Sequence, residues 1–359
     1  MLKMVISMKL SREQLEQKAA EAIRACLDDV PSVKIKDVQI EADFQGRTAD
    51  LVATVNTPAG LRYLVAEVKG AGQPRGAREA VNQLWRYWAN IPGVVPVFMA
   101  PYISPETAEI CKQDSTSYVD LAGNCRLVFD NVFVERQGML NPFSEKRSLR
   151  SLYSPKSSRI LRVLLANPGV AWKVQDLALE ADVSLGLVAN VKMRLEDQEW
   201  TRKTERGLKL RDPEKLLSEW AQTYSIRRNT VREFFSLTAV ADLEADLAKE
   251  CVENKLRYAL TGFSASARLA PAVRSPRMMA YVEKISEKLT FSLGLKEVTS
   301  GANVTLLEPY DAGVFYGSKE IDGIIVASPI QVYLDLRGLR GRGEEAADKL
   351  LNEVIRPQW

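Results

Sequence analysis

The sequence predicts a multidomain protein that combines α/β and α+β architecture. Its 359 residues, 46% of them hydrophobic, suffice for two or three cores, because domains usually contain about 100–150 residues. In the N-terminal part, apolar β-branched runs alternate with amphipathic stretches, as in an α/β sandwich. The stretch at 141–156 is rich in serine, proline and basic residues, which is the composition of a linker. These observations predict domains at residues 1–143, 144–212 and 213–359.

In the first domain, a helix is predicted at Ser11–Leu27. Two apolar runs, Thr48–Val55 and Leu61–Gly70, flank the turn sequence Asn-Thr-Pro-Ala-Gly and therefore predict a β-hairpin. The further predicted elements are a helix at Gly76–Asn90, a strand at Val94–Ile103, a helix at Pro105–Gln113, and strands at Ser117–Leu121 and Arg126–Arg136. Together they complete an α/β sandwich.

Polar residues on this hairpin and the following helix form the first candidate site. Glu67 and Lys69 are two apart on a strand, so their side chains share a face, and Asp50 lies on the partner strand. Two adjacent carboxylates repel each other unless a cation lies between them, and Mg²⁺ favours such oxygen ligands. Asp50 and Glu67 are therefore predicted ligands for Mg²⁺ or Mn²⁺, with Lys69 placed to hold or deprotonate a water. Gln83 and Tyr87, one helical turn apart, would position a phosphate or the carboxylates.

The order of these residues resembles the PD-(D/E)XK nuclease superfamily. Asp50 matches its central Asp, Glu67-x-Lys69 its ExK element, and Gln83-x-x-x-Tyr87 the helix motif of its RecB-like branch. The resemblance covers about a third of the chain, and no Pro precedes Asp50. It implies a Mg²⁺-dependent DNA endonuclease whose first helix adds an acid, either Glu16 or Glu21. An isolated E-x-K triplet is more often a solvated cross-strand ion pair, which is the alternative here.

Composition limits the chemistry further. The chain has no histidine, which excludes Ser-His-Asp and Cys-His nucleophiles and histidine-ligated zinc. A net charge of only +3 means that nucleic-acid binding depends on local basic patches. Four scattered cysteines without a Cys-x-x-Cys motif argue against a disulfide framework or a zinc site. The absence of a signal peptide or membrane-length apolar run predicts a cytoplasmic protein without membrane contact.

The middle of the chain predicts a DNA-binding module. Helices are expected at Arg159–Leu165, Val174–Ala181 and Ser184–Glu196, followed by a hairpin at Leu195–Leu210 with Arg206-Gly207 at its tip. This order is typical of a winged helix-turn-helix, whose third helix lies in the major groove. The predicted DNA contacts are Ser184, Leu185, Asn190, Lys192 and Arg194 on that helix and Lys203 and Arg206 on the wing. Nearby acidic residues dilute the basic face, so a winged helix used for protein contact is the alternative.

The last domain carries two resemblances. A strand at Arg257–Gly262, residues 274–277 and a strand at Met278–Glu283 resemble the opening of a minimal nucleotidyltransferase fold. The paired metal-binding acids of that fold are missing, which implies a degenerate α/β domain. Residues 328–347, together with YVDLAGNCRL at 118–127, resemble the type IV abortive-infection antitoxins, a family of transcriptional regulators. That resemblance implies a toxin–antitoxin system of phage defence.

Two hypotheses therefore compete, and a third is weaker. In the first, the protein is a metal-dependent nuclease to which the winged helix delivers double-stranded DNA. In the second, it is a transcriptional regulator or antitoxin with an inactive nuclease-like fold and a cognate toxin as its partner. The sequence does not decide the oligomeric state, and a dimer is one alternative. A protein–protein adaptor, the third hypothesis, leaves the acidic residues unexplained. The intact D…E-x-K set discriminates between the first two, because a fold kept only for binding has no need of two adjacent carboxylates, which repel phosphate unless a metal is bound.

Overall fold

The computed structural model describes residues 10–28, 30–88, 90–143, 152–271, 277–339 and 341–359. The fold is mixed α/β, as predicted, and the chain divides into two compact units. The first comprises Met1–Lys146 with Asp197–Glu199, and the second Arg147–Glu196 with Trp200–Trp359. In the described ranges, no helix has both the length and the apolar character needed to cross a membrane.

The first unit is built on one seven-stranded sheet. Its strands are β1 (Lys34–Phe44), β2 (Arg47–Thr57), β3 (Gly60–Val68), β4 (Val94–Ala100), β5 (Ser117–Asp120), β6 (Cys125–Phe129) and β7 (Val132–Arg136), and its helices are α1 (Arg12–Leu27), α2 (Pro74–Tyr87) and α3 (Pro105–Gln113). The strands lie in chain order across the sheet. β3, β4 and β5 pair in parallel, whereas the flanking pairs are antiparallel. A parallel pair needs a crossover, and α2 and α3 supply it.

Alternation along the strands gives the sheet two apolar faces. On one face, Leu51 and Val55 of β2 pack in a cluster with Ile23 of α1. On the other face, Val52 packs in a cluster with Leu84 of α2. α1 begins at a capping box in which Ser11 and Gln14 exchange hydrogen bonds. The predicted helix at Ser11–Leu27 and the predicted β2–β3 hairpin are therefore both present.

Two strands differ from the prediction. Arg126–Arg136, expected as one strand, forms β6 and β7, because Asp130 and Asn131 make a two-residue turn with Asp130 in the left-handed region at φ 49°. β1 was not predicted, since most of its residues are exposed or half-buried and its sequence, KIKDVQIEADF, is largely polar. It pairs with β2 along nearly its whole length.

The YVDLAGN stretch forms the turn between β5 and β6. Buried Asp120 accepts hydrogen bonds from the backbone N–H groups of Ile103, Ala122 and Asn124. Gly123 has a φ of +102°, a conformation that glycine adopts without strain. The Asn124 side chain donates to Asp120 and accepts from the backbone N–H of Met139. These contacts explain the motif as a structural turn.

The second unit contains a mixed seven-stranded sheet and a separate hairpin. Its helices are α4 (Pro155–Ala166), α5 (Val174–Glu180), α6 (Leu185–Asp197), α7 (Pro213–Thr223), α8 (Val240–Glu253), α9 (Gly262–Leu269), α10 (Glu287–Ser292), α11 (Pro329–Arg337) and α12 (Gly343–Leu350). The strands are β8 (Thr201–Thr204), β9 (Gly207–Leu210), β10 (Thr230–Phe235), β11 (Tyr258–Leu260), β12 (Met278–Val282), β13 (Lys296–Glu297), β14 (Val304–Glu308), β15 (Lys319–Ile321) and β16 (Ile324–Val326). β8 pairs with β9, and the other strands follow the order β13-β10-β14-β12-β11-β16-β15.

The predicted segments 144–212 and 213–359 share one hydrophobic core, which includes residues from Leu152 to Ile355. The linker predicted at 141–156 lies partly outside the described residues, and its end, Pro155-Lys156, begins α4 instead. The reason is local: proline is favoured in the first turn of a helix, where its missing N–H costs nothing. Of the predicted 274–277 motif, residues 274–276 also lie outside the described ranges.

The hairpin β8–β9 starts later than predicted. Leu195, expected as its first residue, is fully buried within α6, and β8 begins at Thr201. Leu208 of β9 also bridges to Trp172, so a third short strand segment joins the hairpin. A Cβ at Gly207 would lie 2.2 Å from the Trp172 carbonyl oxygen, so only glycine permits this approach. Three helices and a hairpin thus form one continuous packed arrangement.

Candidate functional site

The predicted acidic site assembles at the end of the β2–β3 hairpin. The regular pairing runs from Thr57 opposite Gly60 to Leu51 opposite Ala66. Directly beyond it, Asp50 Oδ2 accepts a hydrogen bond from the backbone N–H of Val68 at 2.8 Å. This bond fixes the Asp50 carboxylate beside β3, on the partner strand as the sequence indicated.

Glu67 is the buried centre of the site. It is 7% exposed, and both carboxylate oxygens have donors: Lys69 Nζ at 2.7 Å from Oε1 and Gln83 Nε2 at 2.8 Å from Oε2. Burial raises the pKa of Glu67, the Lys69 hydrogen bond opposes that rise, and repulsion from Asp50 adds to it. The shared face of Glu67 and Lys69 is therefore observed, and Gln83 of α2 reaches the same carboxylate. A cation placed here would favour the charged form of Glu67.

Helix α1 contributes a carboxylate and a positively charged guanidinium. Glu16 is 4% exposed and faces the site, whereas Glu21 is exposed to solvent. Arg12, one turn before Glu16, places its Nε 2.8 Å from Glu16 Oε1 and its Nη2 3.2 Å from Asp50 Oδ1. A third carboxylate, that of Glu41 on β1, lies 3.7 Å from the same guanidinium. Of the two acids that the sequence left open, Glu16 is the one that the structure links to Asp50.

Tyr87 occupies a different environment from Gln83. Its ring lies under the Arg47 guanidinium, 4.4 Å from Cζ to the ring centroid, and the side chain is 38% exposed. Such a cation–π contact places a positive charge and an aromatic face at the surface beside α2. The structure therefore joins Lys69 and Gln83 directly to Glu67, holds Asp50 beside β3 through the Val68 N–H, and places Tyr87 against Arg47 instead.

The chemistry of the donor set fits a hard divalent cation, although the described part of the chain shows no cluster of three or more acidic, cysteine or histidine residues poised to hold a metal. Glu67 and Asp50 provide the carboxylate oxygens that Mg²⁺ prefers. In the structure, Arg12 and Lys69 balance their charges. Asp50 and Glu67 are the residues that would hold such a cation.

Sequence reasoning missed Arg12 and Arg47, because both act from outside the motif. Arg12 follows the helix cap, where the sequence predicts an ordinary surface residue, and its side chain is indeed 71% exposed. Arg47 begins β2 next to a turn. The only sequence signal for Arg12 is its spacing of four from Glu16, which puts both on one helix face.

The predicted nucleic-acid contacts lie on α6 and on the β8–β9 hairpin. Ser184 accepts a hydrogen bond from the backbone N–H of Leu187 at 3.3 Å, as expected of a helix cap. Asn190, Lys203 and Arg206 are exposed. Lys192 is half-buried and lies 3.7 Å from Glu196 on its own helix. The remaining predicted contacts, half-buried Arg194 and exposed Leu185, are on the same helix.

Known proteins resemble parts of this chain. Residues 209–356 match the model of a family described as "Transcriptional regulator, AbiEi antitoxin, Type IV TA system". A solved structure of EndoMS in its apo form is similar at 13% identity and a TM-score of 0.21, over 32% of this chain and 47% of that chain, so the chain spans less than half of that structure. No curated protein matches. The predicted resemblance at 328–347 lies inside the matched region, and the resemblance of the C-terminal region, residues 209–356, to the type IV antitoxin and transcriptional regulator family is confirmed.

Proposed function

We propose that the protein is a DNA-binding transcriptional regulator of the type IV antitoxin class, in which residues 155–210 act as a winged helix on double-stranded DNA. The family match over residues 209–356 supports the class. One observation supports the proposed DNA contact. Helix α6 buries one face and exposes the opposite face beside a basic hairpin. An antitoxin of this class is expected to have a toxin protein as its partner.

The two faces of α6 differ in their side chains. Its inner face, Val188, Val191 and Leu195, is buried in the core of the second unit. Its outer face, formed by Gly186, Ala189, Asn190 and Met193, is exposed. Small side chains let a helix backbone approach the floor of the major groove, and asparagine pairs with adenine there through two hydrogen bonds. α6 therefore has the shape and the polar group that a recognition helix needs.

The hairpin adds exposed positive charge beside the uncharged outer face of α6. Arg202, Lys203 and Arg206 are exposed, and Arg206 lies in the two-residue turn before Gly207. Positive side chains at a wing tip contact phosphates, which fix the orientation of the protein on the duplex without specifying sequence. The proposal thus assigns base contact to Asn190 and phosphate contact to Lys203 and Arg206.

Single replacements on the wing are expected to weaken DNA binding in proportion to the counterions released. Lys203→Ala and Arg206→Ala should each lower the slope of log affinity against log salt by about one. Fluorescence anisotropy with a labelled duplex taken from upstream of the protein's own gene, measured over a series of salt concentrations, gives the slope. Lys249 is an exposed lysine on α8, and Lys249→Ala serves as the control that should leave the slope unchanged. Equal slopes for all three variants and the unmodified protein would assign DNA binding elsewhere.

We propose metal-dependent phosphodiester hydrolysis as a second function. The contacts of Glu67 with Lys69 and Gln83, beside Asp50, favour it. Bound Mg²⁺ would stabilise the negative charge that develops on a phosphate during cleavage. In this proposal Lys69 orients water through its ammonium group, and Gln83 holds the Glu67 carboxylate in place.

Supercoiled plasmid is expected to be nicked or linearised by the purified protein with Mg²⁺ or Mn²⁺, and to stay supercoiled with EDTA. This result is expected because two carboxylates repel a phosphate until a cation binds between them. Agarose gel electrophoresis after incubation separates the three plasmid forms. Plasmid that remains supercoiled with both metals would leave the first unit as a nuclease-like scaffold.

A further inference from the structure

Two cysteines that lie far apart in the sequence meet in the core of the first unit. The Sγ atoms of Cys26 and Cys125 are 2.8 Å apart across a sequence separation of 99 residues. Cys26 lies in the last turn of α1 and Cys125 begins β6. A disulfide bond has a sulfur–sulfur distance of about 2.05 Å, so the two sulfurs need to approach by only about 0.8 Å to form one.

We propose that Cys26 and Cys125 form a reversible modification site, in which a peroxide oxidises the pair to an intramolecular disulfide that ties α1 to β6. The sequence argued against a disulfide framework because the cysteines are scattered. The fold removes that objection for one pair, since α1 packs on the sheet beside the β6–β7 hairpin.

The surroundings of the pair favour a thiolate on Cys125. Arg136 of β7 lies opposite Cys125 in the strand pairing and donates a hydrogen bond to the Ala25 carbonyl, next to Cys26. The pKa of the Cys125 thiol is lowered because Cys26 donates a hydrogen bond to its sulfur and Arg136 stabilises negative charge there, while burial opposes both effects. The thiolate is the reactive form of cysteine.

The other two cysteines lack this environment. Cys111 and Cys251 are buried, and burial raises the pKa of each thiol to about 12. Neither therefore supplies much thiolate at neutral pH. They serve as internal controls within the same chain, because their oxidation would report a general rather than a local reactivity.

The chemistry balances with hydrogen peroxide as the oxidant. The Cys125 thiolate attacks one peroxide oxygen, the O–O bond breaks, and Cys125 becomes a sulfenic acid while the leaving hydroxide takes a proton to become water. The Cys26 sulfur then attacks the sulfenic sulfur, the S–S bond forms, the S–O bond breaks, and a second water leaves with the Cys26 proton. The two thiols lose two electrons, and the peroxide gains them. Cys26 is 3% and Cys125 1% exposed, so access requires fraying of the last turn of α1, which is where helices open first.

The full-length protein treated with hydrogen peroxide is expected to lose two hydrogens in mass and to yield one linked peptide that joins Cys26 to Cys125. Free thiols are alkylated in denaturant before digestion, and a reducing agent should restore both cysteines. Cys111→Ser should leave the linkage intact, whereas Cys125→Ser should abolish it. Closure of a loop of this length should raise the melting temperature of the oxidised protein, on the order of 5–10 °C.

Three results would overturn the proposal. One is full alkylation of Cys26 and Cys125 after peroxide treatment, and another is a linked peptide that contains Cys111 or Cys251. The third is oxidation of Cys125 to sulfinic acid without linkage to Cys26. The peptide map of the unmodified protein decides among these outcomes, so the test does not depend on how well the serine variants fold.

Discussion

Replacing Asp335 by alanine is expected to destabilise the second unit by about 3–5 kcal/mol. Asp335 of α11 is fully buried, and its carboxylate accepts four side-chain hydrogen bonds. The donors are Tyr224 at 2.6 Å, Tyr281 at 2.8 Å, Gln331 at 3.0 Å and Thr261 at 2.5 Å. Alanine would leave these buried polar groups without their common acceptor, and each unsatisfied group costs free energy.

A buried positive charge extends this polar network. Arg162 of α4 is 1% exposed and donates to Gln331 Oε1 from Nε at 3.2 Å. Gln331 therefore bridges Arg162 and Asp335 through its amide. Burial raises the pKa of Asp335, and the four hydrogen bonds oppose that rise. Since α4 begins the helical segment and α11 lies near the end of the chain, the network connects the proposed DNA-binding segment to the antitoxin-like region inside one core.

Urea unfolding followed by circular dichroism measures how much Asp335→Ala lowers the free energy of unfolding of the second unit. Asp335→Asn keeps the size and one acceptor oxygen, so it should lose less stability than Asp335→Ala. Asp246→Ala makes the same chemical change at an exposed position of α8 and should stay within about 0.5 kcal/mol of the unmodified protein. An Asp335→Ala loss as small as that of the control would show that the network contributes little to stability.

Local patterns predicted the first unit well, and the reason is visible at particular residues. Ser11 and Gln14 form the capping box at the start of α1, and Pro105 begins α3 where the sequence placed it. These features depend on residues within one turn of each other. The sequence did not predict β1, because its pairing with β2, rather than an apolar pattern of its own, stabilises it. Tertiary context overrode local propensity there.

The candidate site divides along the same line. Strand periodicity predicted the shared face of Glu67 and Lys69, which are in contact. Helix periodicity predicted only that Gln83 and Tyr87 share a face, and the contact of Gln83 with Glu67 depends on how α2 packs against β3. The Arg12 contact with Asp50 and the approach of Cys26 to Cys125 span 38 and 99 residues. Such contacts depend on how α1 packs against the sheet, which no local pattern encodes. The shared core of residues 152–359 was missed for the same reason, because a helix surface does not reveal its partner.

Asp50→Asn is expected to abolish both metal binding and plasmid cleavage, whereas Lys69→Ala should abolish cleavage alone. Asparagine keeps an oxygen that can accept the Val68 N–H bond, so the hairpin end should persist while one negative charge of the proposed metal site is lost. In the proposed mechanism Lys69 orients the water and binds no metal, and its removal also takes away a donor to Glu67. Loss of one such positioned group typically lowers a rate by about 10²–10³-fold.

Two readouts separate the roles of these residues. A metal at about 100 times its dissociation constant should stabilise the unmodified protein and Lys69→Ala by about 2.7 kcal/mol, seen as a higher melting temperature with Mn²⁺ than with EDTA. Asp50→Asn should melt equally in both. Asp43→Asn, an exposed aspartate of β1, is the matched control and should behave as the unmodified protein. If Asp50→Asn keeps the Mn²⁺ stabilisation, Asp50 is not a metal ligand; if Lys69→Ala cleaves at the full rate, Lys69 does not position the water. Either result would remove that residue from the proposed hydrolytic site, since each is assigned a contribution that the other cannot replace.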